Sequence, residues 1–197
     1  ARLTRQRHEA PRAAPGPATH PVPHDGEDLT PLVRRILLLA LSALLCGCSA
    51  RLLLVNSVAD QLASQGQAEE HDLLLARDAA PFYLKLSESV LRETPGHLPL
   101  AEAVAAGFTQ YAYAFVAFEG EKLQASDARA AQALNERAAR LYARAQRHAL
   151  TALATRHESL LPALAQGSPA PLRLAPDELG LAYWAAAAWA AHIALSK

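Results

Sequence analysis

The stretch LPLAEAVAAGFTQYAYAFVAF, residues 98–118, decides the fold of this chain. Its large apolar side chains fall within an arc of about 80° on a helical wheel of 3.6 residues per turn. They are Leu100, Val104, Phe108, Tyr111, Phe115 and Phe118. The opposite side carries alanines and Val116, so it is apolar as well. We therefore predict a helix over about Leu98–Phe118 that is buried on most of its circumference.

Outward from this helix, apolar residues recur at intervals of three and four, and β-branched residues are sparse. That spacing indicates helices, because strands alternate with a period of two. Four further helices are predicted, at about Ala50–Ser64, Glu69–Glu93, Asp127–Thr155 and Asp177–Leu195. The predicted fold class is all-α, with antiparallel helix pairs in a tetratricopeptide-like (TPR-like) superhelical or solenoid bundle. Only a faint match to that repeat follows Pro95, so any repeats are cryptic.

The segment Glu69–Glu93 carries an apolar stripe that predicts its buried face. The stripe consists of Leu75, Ala79, Phe82, Leu86 and Val90. It stays in phase across Pro81, although proline lacks an amide hydrogen and clashes with the preceding turn of a helix. The pattern predicts either one kinked helix or two short helices stacked in line.

A loop of about fifteen residues or more is predicted before the last helix, because Gly167, Pro169, Pro171 and Pro176 interrupt the helical pattern. Loops of this length are either functional or insertions.

An export signal precedes the helical region. The basic pair at 34–35 is followed by the apolar run 36–45, which is too short to span a membrane. A branched residue three positions before Cys48, with Gly47 directly before it, resembles the bacterial lipobox. Cys48 is then the lipidated first residue of the mature chain, and its covalent diacylglycerol/acyl lipid is the only attached group expected. The alternative is a C-x-C redox or metal pair with Cys46, but two thiols alone cannot complete a tetrahedral zinc site.

Three regions follow from these signals. Residues 1–32 have a disordered composition rich in Pro, Ala, Arg and His, or are a mis-annotated N-terminal arm. We expect translation to begin near Leu32 or Val33. Residues 33–47 form the lipoprotein signal peptide. Residues 48–197 form the all-helical domain, which we expect to be truncated at its C-terminus because no helix-ending signal precedes Lys197.

The charge of the mature chain excludes a class of partner. Residues 1–47 hold six of the nineteen basic and four of the nineteen acidic side chains, which leaves thirteen and fifteen, a net charge near −2. Nucleic-acid binding needs a strong basic excess, so no nucleic-acid partner is expected. Without Cys46 the mature chain also has no pair of thiols for a disulfide.

No arrangement of residues indicates catalysis. His157-Glu158 begins like a zinc-protease motif, but Leu161 stands at the position of the second histidine. The sequence contains no G-x-S-x-G and no glycine-rich phosphate loop, and the remaining histidines lack ligand spacing. We therefore predict no enzyme activity, no catalytic residue and no metal site. An envelope hydrolase is the weakest alternative.

Aromatic residues on the predicted helices are the candidate ligand or pore residues. They are Tyr83, Tyr111, Tyr113, Tyr142, Trp184 and Trp189. One interpretation is that they fill the core. The other is that they line a hydrophobic channel or groove, since apolar cavities with a few polar tips bind small ligands.

A row of arginines on the helix Asp127–Thr155 lies opposite its buried side. The candidates for partner contact are Arg137, Arg140, Arg144 and Arg147. The row is either a solvated face or a contact surface for an anion or a partner protein, because guanidinium groups bind carboxylates bidentately. His148 is expected to lie on the same side.

Several stretches resemble the TRAP transporter T-component (TatT) family, in order and spacing from about Cys48 to Lys197. The stretches are Val58–Asp60, Ala79–Ser89, Tyr111–Val116, Arg137–Ala145 and Tyr183–Trp189. No single motif is specific, but their combination with a lipobox is. The chain differs from the family in stopping short of its usual length and in its N-terminal arm.

The resemblance implies an all-helical periplasmic lipoprotein with degenerate TPR-like helix pairs around a pore. It further implies association with the periplasmic solute-binding component of a tripartite ATP-independent periplasmic (TRAP) transporter, a homotrimer as one assembly, and a hydrophobic or organic-acid ligand. Ser49 after the lipidated cysteine favours the periplasmic face of the outer membrane by analogy with lipoprotein sorting. The alternative function is a general TPR-type envelope scaffold lipoprotein that binds proteins or peptides.

Overall fold

The computed structural model describes residues 29–65, 70–168 and 172–196, and every regular element in these ranges is helical. The helices are α1 (Leu29–Gln65), α2 (Leu73–Glu93), α3 (Leu98–Ala112), α4 (Phe118–Leu123), α5 (Ala128–Ala154), α6 (Leu160–Ala165) and α7 (Leu179–Leu195). A π-helical turn, Tyr113–Ala117, joins α3 to α4, and a 3-10 turn, Pro176–Glu178, precedes α7. The all-α class is confirmed, whereas the TPR-like superhelix stays a prediction.

The chain divides into two units, Ala1–Ala43 and Leu44–Lys197. Helix α1 begins at Leu29, well before the start predicted at Ala50. The proposed N-terminal arm lies outside the described residues up to position 28, and so does the side chain of Cys48. The three predicted regions therefore stay predictions. No helix in the described ranges combines the length and the apolar content needed to cross a membrane.

Neighbouring helices of the second unit run antiparallel. Two contacts for each pair give the direction, because residue numbers rise along one helix as they fall along the other. For α1 and α2 the contacts are Leu62–Tyr83 and Arg51–Glu93. For α3 with α4 against α5 they are Phe108–His148 and Gly120–Ala131, and for α5 and α7 they are Ala139–His192 and His157–Glu178. Helices α2 and α3 are joined by a short connection, and Leu84 and Gly107 meet at equal distances from it. Antiparallel pairing is thus present among the described helices.

Helix α3 lies at the centre of the main core, where it contacts α2, α5 and α7. Leu100, Val104 and Ala105 are fully closed to solvent. Full burial of a large aliphatic side chain stabilises the fold by about 1.5–3 kcal/mol. The helices α5 and α7 bring mainly alanines to this core, so their backbones approach α3 closely. The prediction of a helix buried on most sides is confirmed as far as Ala112.

After Ala112 the buried stripe shifts by one residue because of the π-helical turn. A π-helix forms i→i+5 hydrogen bonds and therefore places an extra residue in each turn. Phe118, expected on the buried face, is 46% exposed, while Val116 and Gly120 are buried. A Cβ at Gly120 would lie 3.3 Å from the carbonyl oxygen of Ala131, so α4 packs tightly on α5.

The buried face predicted for α2 is wrong. Of the predicted stripe, Leu75, Phe82 and Leu86 are exposed. The side chains that α2 buries are Leu84, Ser87, Glu88 and Leu91. The buried face turns towards Glu88 because α5 supplies partners for its carboxylate. Pro81 lies inside a single continuous helix, so the alternative of two short helices stacked in line is wrong.

A short helix that the periodicity does not predict, α6, lies between α5 and the proline-rich loop. Pro169 and Pro171 of that loop lie outside the described residues.

Candidate functional site

A cavity of about 430 Å³ lies between the N-terminal half of α2 and the C-terminal half of α3, and we call it the α2–α3 pocket. Large apolar and aromatic side chains form much of its wall, together with small residues on both helices. They include Leu75, Ala79, Tyr83, Leu84, Ala103, Gly107, Tyr111 and Phe115. Gln65, Glu70 and Gln110 supply the polar groups. A mostly apolar wall with a few polar groups suits a small, largely apolar ligand.

Three features shape the α2–α3 pocket. A Cβ at Gly107 would lie 2.5 Å from Cδ2 of Leu84, so glycine is what lets Leu84 pack onto α3 here. The hydroxyl of Tyr83 donates a hydrogen bond to the carbonyl oxygen of Leu62 in α1, which holds the tyrosine ring in the wall. The rings of Tyr111 and Phe115 lie 5.6 Å apart and tilt by 52°.

A second cavity, of about 390 Å³, lies where the π-helical turn and α4 face α5 and the end of α7. Tyr113 and Tyr142 both line it. Tyr113 is 68% exposed, whereas Tyr142 is buried, and burial raises the pKa of its phenol. The π-helical segment contributes Phe115 to the α2–α3 pocket and Tyr113 to this one, so it forms part of both walls.

The two tryptophans take different places. Trp184 is half-buried against the main core and meets the ring of Tyr183 edge to face at 5.1 Å. Trp189 is 45% exposed. The structure therefore groups the aromatic candidates as two tyrosine pairs in separate cavities and two tryptophans on α7. It does not place all six around one space in the described part of the chain.

A buried carboxylate on α2, Glu88, lies among three basic side chains, and we call Glu88, Lys85, Arg144 and His148 the Glu88 cluster. Glu88 is only 3% exposed. The guanidinium of Arg144 donates bidentately to it, with Nε 2.6 Å from Oε1. Lys85 Nζ lies 2.5 Å from Oε2, and His148 Nε2 lies 2.8 Å from Oε1.

The charge of Glu88 follows from these partners. Burial by itself raises the pKa of the carboxyl, but the hydrogen bonds from Arg144, Lys85 and His148 outweigh burial and lower the pKa to about 2. Glu88 is therefore ionised at neutral pH and joins α2 to α5.

From the sequence, His148 is expected on the arginine-lined side of α5. In the structure it is half-buried in the Glu88 cluster. The His148 ring stacks on the Phe108 ring, with 6.2 Å between the ring centres. The guanidinium of Arg144 lies 5.0 Å from the centre of the Phe108 ring. Burial lowers the pKa of His148, while the hydrogen bond and charge of Glu88 oppose that shift. Sequence reasoning missed this cluster, although Lys85 and Arg92 flank Glu88 at i−3 and i+4, the spacing of ion pairs on a helix.

The four candidate arginines on α5 differ in their exposure to solvent. Arg137, Arg140 and Arg147 are exposed on α5, as predicted for a contact surface or a solvated face. Arg144 is partly buried and its guanidinium is occupied by Glu88.

A second buried carboxylate, Glu178, connects the start of α7 to the end of α5. It is 2% exposed and accepts a hydrogen bond from the backbone amide of Ala175 at 2.8 Å. Nε2 of His157 lies 3.1 Å from both its oxygens, and Arg156 lies 3.6 Å away. The hydrogen bond from Ala175 first, and then that from His157, lower the pKa of Glu178. His157 therefore has a structural role, since its ring contacts the buried carboxylate of Glu178.

Among the residues that the structure describes, no three His, Cys, Asp or Glu side chains come together in a way that could hold a metal ion.

Comparison with known proteins gives two findings. A family model described as TRAP transporter T-component matches residues 69–197. The chain is also similar to an uncharacterized protein of Treponema pallidum (strain Nichols), with 29% identity over 177 residues. That alignment covers 79% of this chain and 55% of the relative, so the chain spans about half the length of the relative it matches.

Proposed function

The chain belongs to the TRAP transporter T-component family, and we propose that it is the accessory lipoprotein of a TRAP solute transporter. In this proposal acyl chains on Cys48 hold it at the periplasmic face of the outer membrane. The helical domain binds the periplasmic solute-binding protein and receives or passes a hydrophobic or organic-acid ligand. It has no catalytic role.

The observation that carries the ligand part of the proposal is the α2–α3 pocket. Its volume of about 430 Å³ lies in the range of small-molecule sites, roughly 300–1,000 Å³. Tyr83 and Tyr111 bring phenol rings and hydroxyl groups to a mostly apolar wall. Such a wall favours an apolar ligand body and allows one or two oriented hydrogen bonds.

The partner part of the proposal uses the exposed arginines of α5. Arg137 and Arg140 point away from the main core and are exposed. Guanidinium groups recognise carboxylates on a partner surface bidentately, so an acidic patch on the solute-binding protein is the expected counterpart. A homotrimer is the proposed assembly.

The alternative is a general envelope scaffold of the TPR type, which one observation favours. Helix α2 exposes Leu75, Phe82 and Leu86, with Phe82 76% exposed. Exposed apolar side chains on one helix are typical of a protein-contact surface.

The ligand proposal is tested by filling the α2–α3 pocket from its rim. Ala79 is exposed and lines the pocket, so A79F should occupy the space without entering the core. The full chain, purified under mild conditions, is examined by native mass spectrometry for co-purified small molecules. We expect a bound apolar compound in the wild type and in A133F, a matched substitution at an exposed alanine of α5, and its loss in A79F. Equal retention in A79F and A133F would contradict the assignment of this pocket.

The partner proposal is tested by capture of a purified solute-binding protein of a TRAP transporter on the immobilised full chain. The double variant R137Q/R140Q should weaken capture, and added salt should weaken capture by the wild type, because the expected contact is electrostatic. Undiminished capture by R137Q/R140Q would remove these arginines from the interface. Preferential capture of unrelated envelope proteins would favour the scaffold function.

A further inference from the structure

The cavity of about 390 Å³ between the π-helical turn, α4, α5 and the end of α7 has an aromatic wall and one acidic group, and we call it the α4–α5 pocket. The rings of Tyr113, Phe118 and Tyr142 line it. Among its described lining residues, Glu121 is the only charged one. None of these lining residues also lines the α2–α3 pocket, so the two cavities are separate candidate sites.

The polar and the aromatic groups of the α4–α5 pocket lie towards opposite ends of it. A Cβ at Gly120 would lie 2.8 Å from Oδ1 of Asn135, so the amide of Asn135 lies beside the segment that carries Glu121. Tyr142 follows Asn135 by two helical turns, about 10 Å further along α5. Burial first, and then the nearby phenol of Tyr113, raise the pKa of Tyr142, so these two phenols are close together. The pocket is therefore long, with a carboxylate towards one end and two phenols towards the other.

The carboxylate of Glu121 is exposed and makes no ion pair within the described part of the chain. The neighbouring cation, Lys122, pairs with Glu119 instead, and its Nζ lies 2.7 Å from Oε1 of that residue. The same ammonium lies 4.7 Å from the centre of the Phe118 ring, an arrangement that the negative face of an aromatic ring favours. Glu121 is therefore the carboxylate of this pocket that a bound cation can use.

The hydroxyl of Tyr142 is the second group without a protein partner. The residue is only 3% exposed, yet this hydroxyl makes no hydrogen bond to any described residue. Polar groups on buried side chains are nearly always hydrogen-bonded, because leaving one unsatisfied costs free energy. The hydroxyl oxygen is not fully enclosed, and since Tyr142 lines the α4–α5 pocket, it reaches solvent there. A ligand in the pocket can thus supply the hydrogen bond.

We propose that the α4–α5 pocket binds an organic amine that carries an ammonium group at one end and a hydroxyl group at the other. The carboxylate of Glu121 pairs with the ammonium, the rings of Tyr113 and Phe118 contact the apolar body, and Tyr142 hydrogen-bonds to the ligand hydroxyl. A charge-assisted hydrogen bond is about twice as strong as a neutral one, and aromatic rings bind both apolar surface and cations.

The ligand class differs from that proposed for the α2–α3 pocket. A single unpaired carboxylate attracts a cation and repels an organic acid, so the α4–α5 pocket selects against the acids. The inference therefore does not rest on the function proposed above, and each of the two sites can be tested without the other.

The experiment measures binding of small probes to the full chain by saturation-transfer NMR of the probe, titrated to give a dissociation constant. Tyramine has an ammonium at one end and a phenol at the other. Phenethylamine lacks the hydroxyl, and phloretate has a carboxylate in place of the ammonium. We expect saturable binding of tyramine, weaker binding of phenethylamine, and the weakest binding of phloretate, because Glu121 repels its carboxylate.

E121Q should weaken tyramine binding about tenfold, because the ion pair becomes a neutral contact. The matched control is E136Q, since Glu136 is exposed on α5 beside Asn135 but does not line the pocket, and it should leave the affinity unchanged. A79F, which fills the α2–α3 pocket, should also leave tyramine binding unchanged.

A second variant, Y142F, tests the hydroxyl contact. It removes one hydroxyl and keeps the ring, so the affinity for tyramine should fall to that for phenethylamine, whose own affinity should stay the same. Because the hydroxyl of Tyr142 makes no hydrogen bond to a described residue, Y142F should fold like the wild type, and its thermal midpoint verifies this.

Four results would overturn the proposal. They are the absence of saturable tyramine binding, equal tyramine affinity in E121Q and E136Q, phloretate binding as tight as that of tyramine, and loss of tyramine binding in A79F. Equal wild-type affinities for tyramine and phenethylamine would likewise overturn the assignment of the Tyr142 hydroxyl to the ligand.

Discussion

Glu88 and Glu178 are two carboxylates buried to nearly the same extent, 3% and 2% exposed. Each has a histidine and an arginine within 4 Å. Their partners come from different distances along the chain. Arg144 and His148 lie 56 and 60 residues from Glu88, whereas the amide that binds Glu178 belongs to a residue only three positions before it.

The difference shows two ways to bury a negative charge. Glu178 caps the turn before α7, and the backbone amide of Ala175 makes the largest contribution to lowering the pKa of Glu178. For Glu88 burial is the largest single effect on the pKa and acts to raise it, and side-chain cations from two helices together outweigh it. A carboxylate satisfied by the local backbone stabilises a loop, while one satisfied by a distant guanidinium determines how two helices pack.

The largest expected effect comes from removing the distant partner. Arg144→Met removes the bidentate partner of the buried Glu88 and leaves Lys85, His148 and the more distant Arg92, so it should lower the free energy of unfolding by about 3 kcal/mol. Arg140→Met is the matched control, because Arg140 is exposed on the same helix, and it should change stability by less than about 0.5 kcal/mol. Urea denaturation measures both. Equal midpoints for the two variants would show that Glu88 does not depend on Arg144.

The pH dependence of stability tests whether the ionised carboxylate of Glu88 stabilises the fold. The pKa of Glu88 is lowered from 4.5 to about 2, so its stabilising contribution is complete above pH 4.5 and is lost as pH falls through 2. That shift corresponds to at most about 3 kcal/mol, and the exposure of Lys85 and Arg92 reduces the expected effect to about 2 kcal/mol. Glu88→Gln should therefore be less stable than the wild type by about that amount at pH 6. The two proteins should converge near pH 2, and a constant difference from pH 6 to pH 2 would contradict the assignment.

The comparison also explains which parts of the fold the sequence predicts. Leu100, Val104 and Phe108 predict a buried helix, because local periodicity is enough when a helix buries apolar side chains on most sides. On α2 the same reasoning places Phe82 on the buried face and gives no reason to bury Glu88, whereas the structure exposes Phe82 and buries Glu88. What buries Glu88 is a guanidinium 56 residues away, and no pattern within α2 contains that information.

The candidate ligand residues also divide into what the local sequence predicts and what depends on the three-dimensional structure. The tyrosines at 83, 111, 113 and 142 were predicted as ligand or core residues, and each lines a cavity. Their separation into two cavities depends on the π-helical turn at Tyr113–Ala117, which adds one residue to a turn without a distinctive sequence. Spacing at 3.6 residues cannot show on which side of that turn a tyrosine emerges.

A smaller, local effect is expected at the other carboxylate. Glu178→Gln keeps the shape of the side chain but weakens the hydrogen bond from the Ala175 amide and the contact with His157. The amide of Ala175 should exchange with solvent faster, and the thermal midpoint should fall less than in Glu88→Gln. Since the pKa of Glu178 is lowered, the stabilising contribution of Glu178 is present above pH 4.5 and is lost below it. Amide exchange at α2 that rises as much as exchange at Ala175 would show that Glu178 is not a local cap.

The smallest expected effect is a change in one histidine. Burial lowers the pKa of His148, while the hydrogen bond and charge of Glu88 act against that shift. Glu88→Gln removes the opposing charge, so the pKa of His148 should fall further and its ring should stay neutral to lower pH. NMR titration of the histidine rings measures this, with Glu178→Gln as the control, because Glu178 contacts His157 and not His148. A His148 pKa that rises in Glu88→Gln would show that Glu88 does not favour the protonated ring. An equal fall in Glu178→Gln would mean that the two carboxylates are coupled, and the division between a distant and a local charge would fail.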